Sequence, residues 1–167
     1  QILKQLQEWG FTFDEGLQNY IKRTVGHVSE MDTIEIPGLK GKLYPFQRQG
    51  VAFIENKNGC ALVADQMGLG KTIQALAWLQ LHPEKRAIII ATSSAKWNWR
   101  AEAQRWLTEN HAVVVSGKTP QPEVIKDARI VIVNYDILES WLETLRVFAA
   151  DVLIVDEGHK IKNSSAK

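Results

Sequence analysis

The sequence predicts an α/β fold built on a mainly parallel sheet with helices on both faces. Short apolar runs rich in Val and Ile recur along the chain: "AIIIAT", "HAVVVS", "RIVIVNY" and "DVLIVDE". Strands that are apolar at nearly every position belong to sheets covered on both sides. Helical patterns separate these runs, as crossovers between parallel strands require. A Gly-Lys-Thr stretch, Gly70 to Thr72, also stands between an apolar run and an amphipathic one.

Residues 1–36 read as the tail of a preceding region or a linker. Gly10, Gly16 and Gly26 interrupt them and their periodicity is weak. The chain opens at Gln1 within a helix-like pattern, Ile2, Leu3, Leu6 and Trp9, and closes on "KNSSAK". The expectation is a piece of a longer protein. Pro37, Gly38 and Gly41 mark a connector. Pro45 then opens a helix at its first turn, where its missing N–H is not needed. Phe46, Gly50, Phe53 and Ile54 are expected on that helix's inner face.

From there strands and helices alternate. "CALVAD" (60–65) is expected as a short buried strand, and "KTIQALAWLQL" (71–81) as a helix with Ile73, Leu76, Ala77 and Leu81 at helical spacing. A strand at 87–92, a helix at 95–107 and a strand at 111–116 follow, then a loop through "GKTPQP". A strand at 129–135, a helix at 137–149 and a strand at 151–157 complete the pattern.

Bulk composition bounds the function. Hydrophobic residues make up 45% of the 167 and charged residues 23%, which describes a globular chain rather than a disordered one. A net charge of +1 means that any nucleic-acid surface must be a local patch. Cys60 is the one cysteine, so neither an internal disulfide nor a cysteine zinc cluster can form. That fits a reducing, intracellular setting. No apolar run reaches membrane-spanning length.

"ADQMGLGKT" (64–72) carries the second half of a phosphate loop, Gly70, Lys71 and Thr72. Asp65 stands where such loops usually have their first glycine, and Gly68 sits inside the loop. Loop amides and a helix N-terminus aim donors and a positive dipole end at an anion. Lys71 can reach the β- and γ-phosphates and Thr72 can ligate Mg²⁺. The bland alternative is a glycine turn with a solvated lysine. "DVLIVDEGH" (151–159) ends its strand in Asp156 and Glu157, where a nucleotide hydrolase needs one carboxylate beside Mg²⁺ and one aimed at the attacking water. Ligands of open α/β sheets sit beyond the carboxyl ends of the strands, so the two motifs can meet at one site.

These residues resemble a known family. "DQMGLGKT" is similar to motif I of the SNF2-type branch of superfamily 2 helicase-like ATPases. "IIIATSSAKWNWRAEAQRW" resembles motif Ia and its following helix, with Asn98, Trp99, Glu102 and Trp106 at the family's positions. "VIVNYDIL" resembles motif Ib, "DEGHKIKNSSAK" motif II and its tail, and "LYPFQRQGVAFI" the segment with the adenine-recognising glutamine. The match runs from about residue 43 to 167, and "LYPFQRQG" and "VVSGK" lean toward the annealing-helicase-like subgroup.

The resemblance implies a RecA-like P-loop NTPase lobe, cut after motif II, of a DNA-dependent ATPase that uses ATP and Mg²⁺. Gln47 would contact adenine. Asp65, Gln66, Met67, Gly68, Leu69, Gly70, Lys71 and Thr72 would form the nucleotide loop. Lys71, Asp156 and Glu157 would be catalytic, with Thr72 and Asp156 at the metal. His159 would couple the nucleotide site to the rest of the motor. Ser93, Ser94, Lys96 and Asn134 would lie at the DNA backbone. The partners implied are duplex DNA and a second RecA-like lobe in the same parent chain, in a DNA-associated location, nuclear or bacterial-cytoplasmic. Gln66 replaces the family's usual acid, and motif III is missing, as is the second lobe with its arginine finger.

Other readings make different demands. An RNA-directed helicase of the superfamily usually ends motif II in Ala-Asp, not Gly-His. A nucleotide-sensing docking module would tolerate loss of Lys71. A small-molecule kinase would leave motifs Ia and Ib unexplained. Of the tryptophans, Trp99 and Trp106 are seven apart on a helix and expected to face the core, as are Trp78 and Trp141. Trp97 is the more exposed candidate for nucleic-acid contact. Lys96, Arg100 and Arg105 form a basic cluster, either a solvated face or a phosphate contact. His27, His82 and His111 are too scattered to form a metal set.

Overall fold

The computed structural model describes residues 34–66 and 68–158. The expectations for residues 1–33, Met67, His159 and the tail of motif II therefore lie outside the described residues. The described residues belong to one compact unit. Their helices are α1 (Pro45–Asn56), α2 (Lys71–Leu81), α3 (Ala95–Trp106), the short α4 (Pro122–Ile125) and α5 (Leu138–Phe148). The strands are β1 (Ala87–Ala91), β2 (Ala112–Val114), β3 (Ile130–Asn134) and β4 (Val152–Val155). A 3₁₀ turn, Tyr135–Ile137, joins β3 to α5.

Among the described residues the sheet has four strands in the order β2-β3-β1-β4, and all its pairings are parallel. Ile88 pairs with Val131 on one side and Leu153 on the other. Because side chains alternate along a strand, this register sorts them into two cores. Ala87, Ile89, Ala91, Ile130 and Ile132 pack beneath α1, α2 and α3 with Val51, Leu76 and Trp99. Ile90, Val131 and Val133 face the other way, against Ile125 of α4 and Trp141, Leu145 and Phe148 of α5. The helices lie on both faces, as the apolar runs predict. Fully burying each Val, Ile, Leu or Phe side chain among these is worth about 1.5–3 kcal/mol. The buried indoles also find acceptors: Trp141 Nε1 donates to the Gly117 carbonyl and Trp78 Nε1 to Glu55, at 2.8 and 2.7 Å.

Long-range polar ties lock the layers in register. Arg129, at the start of β3, donates to the carbonyls of Leu79 and His82 at the end of α2, and to those of Lys85 and Glu109. The guanidinium thus caps the C-terminal end of α2, adding a second donor to carbonyls that already accept the His82 and Lys85 N–H groups. Burial lowers its pKa from the ordinary arginine value. Gln80, buried on α2, donates to Thr108 and to the Pro37 carbonyl and so pins the connector. None of the helices among the described residues is long and apolar enough to cross a membrane.

Two expectations are corrected. "CALVAD" (60–65) forms no strand. It runs beside β4 across a cavity of about 460 Å³, lined on one side by Ala61 to Ala64 and on the other by Val152 to Val155. No ladder joins it to β4, whose only partner among the described strands is β1. The segment is also not fully buried: Ala61 and Val63 pack on the core, while Leu62 is 83% exposed. The second correction is small. The loop after β2 holds the one-turn α4, opened by Pro122.

Candidate nucleotide-binding site

The loop between Ala64 and Lys71 is shaped by glycine. Gly68 and Gly70 have φ of +85° and +80°, a region that side chains with a Cβ enter at a cost. Gly70 is also crowded: a Cβ there would meet Gln47 Nε2 at 2.6 Å and Ile73 Cγ2 at 2.8 Å. The loop therefore ends directly against α1 and the first turn of α2. Gln74 N–H makes the first intrahelical bond, to the Gly70 carbonyl. The N–H groups of Lys71, Thr72 and Ile73 come before it in the turn and have no intrahelical acceptor. They form the donor end that an anion requires.

Side chains brace the loop from below. Gln47 accepts from the Tyr44 N–H at 3.0 Å and donates to the Leu69 carbonyl at 3.3 Å, which ties the start of α1 to the loop. Gln74, fully buried on α2, donates to Asp65 Oδ2 at 2.8 Å. Its Oε1 is buried without a hydrogen bond, at a cost of about 1–3 kcal/mol. It occupies the space that Gly50 leaves open, where a Cβ would come within 1.8 Å. Lys71 Nζ donates to the carbonyls of Asp65 and Gln66 at 2.8 and 3.2 Å, so the ammonium closes over the loop. Asp65, Gln66, Gly68 and Leu69 are exposed, and Lys71 and Thr72 are half-buried.

The acidic motif reaches the same place. Lys71, Thr72, Asp156, Glu157 and Gly158 line one cavity with Trp99. Asp156 follows β4 directly and its N–H donates to the Ile90 carbonyl of β1 at 2.8 Å. Its Oδ2 accepts the indole N–H of Trp99 at 2.9 Å, and its carbonyl accepts the Tyr135 hydroxyl. Burial, then the charges of Asp156 and Glu157, hold the Tyr135 phenol above its ordinary pKa. Glu157 is exposed and left-handed, with φ of +53°. Both acids lie past the end of β4, where the chain already turns, and both line the same cavity. A non-glycine residue in this region is a local cost that clusters at functional sites.

The nucleic-acid expectations divide. Ser93 and Ser94 are exposed ahead of α3, and Trp97 is 53% exposed. Lys96 and Asn134 are not surface groups: they are 7% and 4% exposed and bonded to each other at 3.2 Å. The Lys96 ammonium also donates to the Val115 carbonyl and Ser116 Oγ, so its donors are committed within the chain. Position on α3 decides this, because residue 96 faces the ends of β2 and β3 while Arg100 and Arg105 stay outside. No group of three His, Cys, Asp or Glu able to hold a metal occurs among the described residues.

The sequence motifs mark Trp99 only as a core residue and do not single out Gln74 or Tyr135. A polar Gln between Ile73 and Leu76 on a buried helix face was a readable signal. A buried indole also needs an acceptor, but which one is not legible in the sequence.

A glycine-bounded loop that joins a helix N-terminus and a lysine, with two strand-end acids at the same cavity, has the arrangement of a P-loop nucleotide site on a parallel sheet. The chain belongs to the SNF2-related domain family, whose profile matches residues 46–167. It is 36% identical over 136 residues to the mouse (Mus musculus) DNA annealing helicase and endonuclease ZRANB3, covering 77% of this chain and 13% of that protein. To RAD54B, a DNA repair and recombination protein of Gallus gallus, it is 32% identical over 160 residues, or 82% and 17% of the two chains. A third relative is the SWI/SNF-related matrix-associated actin-dependent regulator of chromatin subfamily A-like protein 1 of Xenopus tropicalis, at 35% over 142 residues, or 81% and 14%. The chain thus spans less than a fifth of the length of these relatives. Its fold matches the Sulfolobus solfataricus SWI2/SNF2 ATPase core in complex with dsDNA, with a TM-score of 0.67 at 24% identity over 79% of this chain and 29% of that one.

Proposed function

We propose that residues 37–167 are the ATP-binding first RecA-like lobe of a DNA-dependent ATPase that moves along or remodels duplex DNA, and that residues 1–36 belong to a preceding region or linker. The observation that carries this reading is the convergence of Lys71, Thr72, Asp156 and Glu157 on one cavity. The residues fit the nucleotide and its metal. The first-turn amides and Gly68–Gly70 meet phosphate oxygens, and Lys71 exchanges its loop carbonyls for the β- and γ-phosphates. Asp65, Gln66 and Leu69 shape the loop, with Met67 between them, and Gln47 meets the adenine edge. Thr72 and Asp156 hold Mg²⁺, which when bound neutralises phosphate charge. Glu157 orients the attacking water and accepts its proton.

Ser93 and Ser94 contact the DNA backbone, and Lys96 and Asn134 support that surface from beneath. His159 couples the site to a second lobe of the same parent protein, whose arginine completes the transition-state charge clamp. Without that arginine, worth about 10³–10⁵ in rate in related phosphoryl transfers, the 167-residue chain binds nucleotide weakly and hydrolyses it slowly. The setting is DNA-associated.

The test is steady-state ATP turnover by the chain joined to its second lobe, with duplex DNA, single-stranded DNA and duplex RNA compared. Stimulation by duplex DNA, abolished by Lys71→Ala, is the expected result. Stimulation by RNA alone, or a rate indifferent to Lys71→Ala, overturns the reading.

A further inference from the structure

Asp156 is held at three atoms by three different parts of the fold. β1 takes its N–H through the Ile90 carbonyl, α3 takes Oδ2 through the Trp99 indole, and the 3₁₀ turn takes its carbonyl through the Tyr135 hydroxyl. The first is an ordinary strand-end bond. The other two come from side chains 57 and 21 residues away in sequence. Trp99 is 4% exposed, five residues after Ser94, and Tyr135 directly follows Asn134.

We propose that Trp99 and Tyr135 are positioning residues for the Asp156 carboxylate, fixing it for Mg²⁺ and tying the metal site to α3 and the 3₁₀ turn. The inference rests on the nucleotide-site reading above. A carboxylate on a strand end turns freely about its side-chain torsions. A neutral N–H donor on one oxygen stops that rotation and leaves the other oxygen for the cation. Groups that orient a metal ligand in this way typically contribute 10–100-fold to metal affinity. The Tyr135 bond acts one step back, on the main chain, and fixes the peptide from which the carboxylate projects. Both donors sit on segments adjoining Ser94 and Asn134, so a shift of either segment reaches Asp156 without passing through the phosphate loop.

The same bonds also satisfy a buried indole and a half-buried phenol, so the test must separate positioning from packing. Trp99→Phe and Tyr135→Phe keep a ring and remove the donor. ADP affinity is measured by calorimetry on the 167-residue chain with Mg²⁺ and again with EDTA. The ratio of the two affinities reports the metal site, and the EDTA value reports the phosphate loop. Both variants are expected to lower the ratio, Trp99→Phe by about 10-fold or more and Tyr135→Phe by less, with the EDTA affinity unchanged. Tyr135→Phe decides alone if Trp99→Phe does not fold. An unchanged ratio in the folded variants, or equal losses with and without Mg²⁺, overturns the proposal and leaves the nucleotide site standing. A parent chain with no Mg²⁺ enhancement overturns both.

Discussion

Replacing Gly70 with alanine separates the two demands that the loop makes on that position. One is conformational: φ is +80°, and a left-handed backbone costs a residue with a Cβ about 1–2 kcal/mol. Part of that is offset by about 0.4–1 kcal/mol of lost unfolded-state freedom. The other demand is spatial. The new methyl would lie 2.6 Å from Gln47 Nε2 and 2.8 Å from Ile73 Cγ2. Gln47 can swing aside by giving up the Leu69 carbonyl, but Ile73 is 6% exposed and packed in the core. Overpacking of this kind costs about 1–3 kcal/mol. Gly68 provides the internal control, because its φ is +85° and a Cβ there meets nothing within 4 Å. Gly70→Ala should therefore be less stable than Gly68→Ala by about 1–3 kcal/mol. At about 4 °C per kcal/mol for a unit of this size, the melting temperatures should differ by about 4–12 °C. Thermal and urea unfolding of both variants measure the difference. Equal stability would refute the contact argument and reduce the Gly70 requirement to its backbone angle.

Lys96→Met should orphan two buried acceptors, the Val115 carbonyl and Asn134 Oδ1, leave the exposed Ser116 hydroxyl to water, and destabilise the chain by about 1–3 kcal/mol in urea unfolding. In the DNA binding proposed for the longer protein, the salt dependence should keep its slope, since a buried ammonium releases no counterion; a slope smaller by about 0.9 would make Lys96 a phosphate contact. Glu55 accepts from His82 and from the Trp78 indole, and the His82 bond chiefly holds its carboxyl below the ordinary value of 4.5. A depressed carboxyl adds stability that is present above its unfolded pKa and is lost as pH falls through the folded one. The stability gap between wild type and Glu55→Gln should thus be largest at pH 6 and close as the solution is acidified below 4.5. A gap that stays constant from pH 6 to 3 would argue against the charge.

Much of the fold was legible because it depends on local pattern. The Val/Ile runs predict buried parallel strands, and β1, β3 and β4 each lie inside the predicted intervals. The helix at 71–81 has the predicted bounds, since helical spacing and the Gly-Lys-Thr start are both short-range signals. The candidate site was legible for the same reason: strand-end and helix-start positions follow once the elements are placed.

What local pattern could not supply was the neighbour of each group. "CALVAD" is as apolar as a true strand, but pairing requires a backbone edge within hydrogen-bond reach, and the segment joins no ladder. Lys96 reads as one of three basic residues, yet its direction from α3 buries it against Asn134 while Arg100 and Arg105 remain exposed. Trp99 reads as core and is core, but the acceptor of its N–H is Asp156, brought in by a strand 57 residues further on. Composition, periodicity and motif spacing are properties of the chain alone, and they determined the fold class, most of its elements and which residues are candidates for a nucleotide site. Which carboxylate a buried indole holds, which lysine loses its solvent and which apolar run finds a ladder depend on contacts between distant segments, and only the tertiary structure decided those.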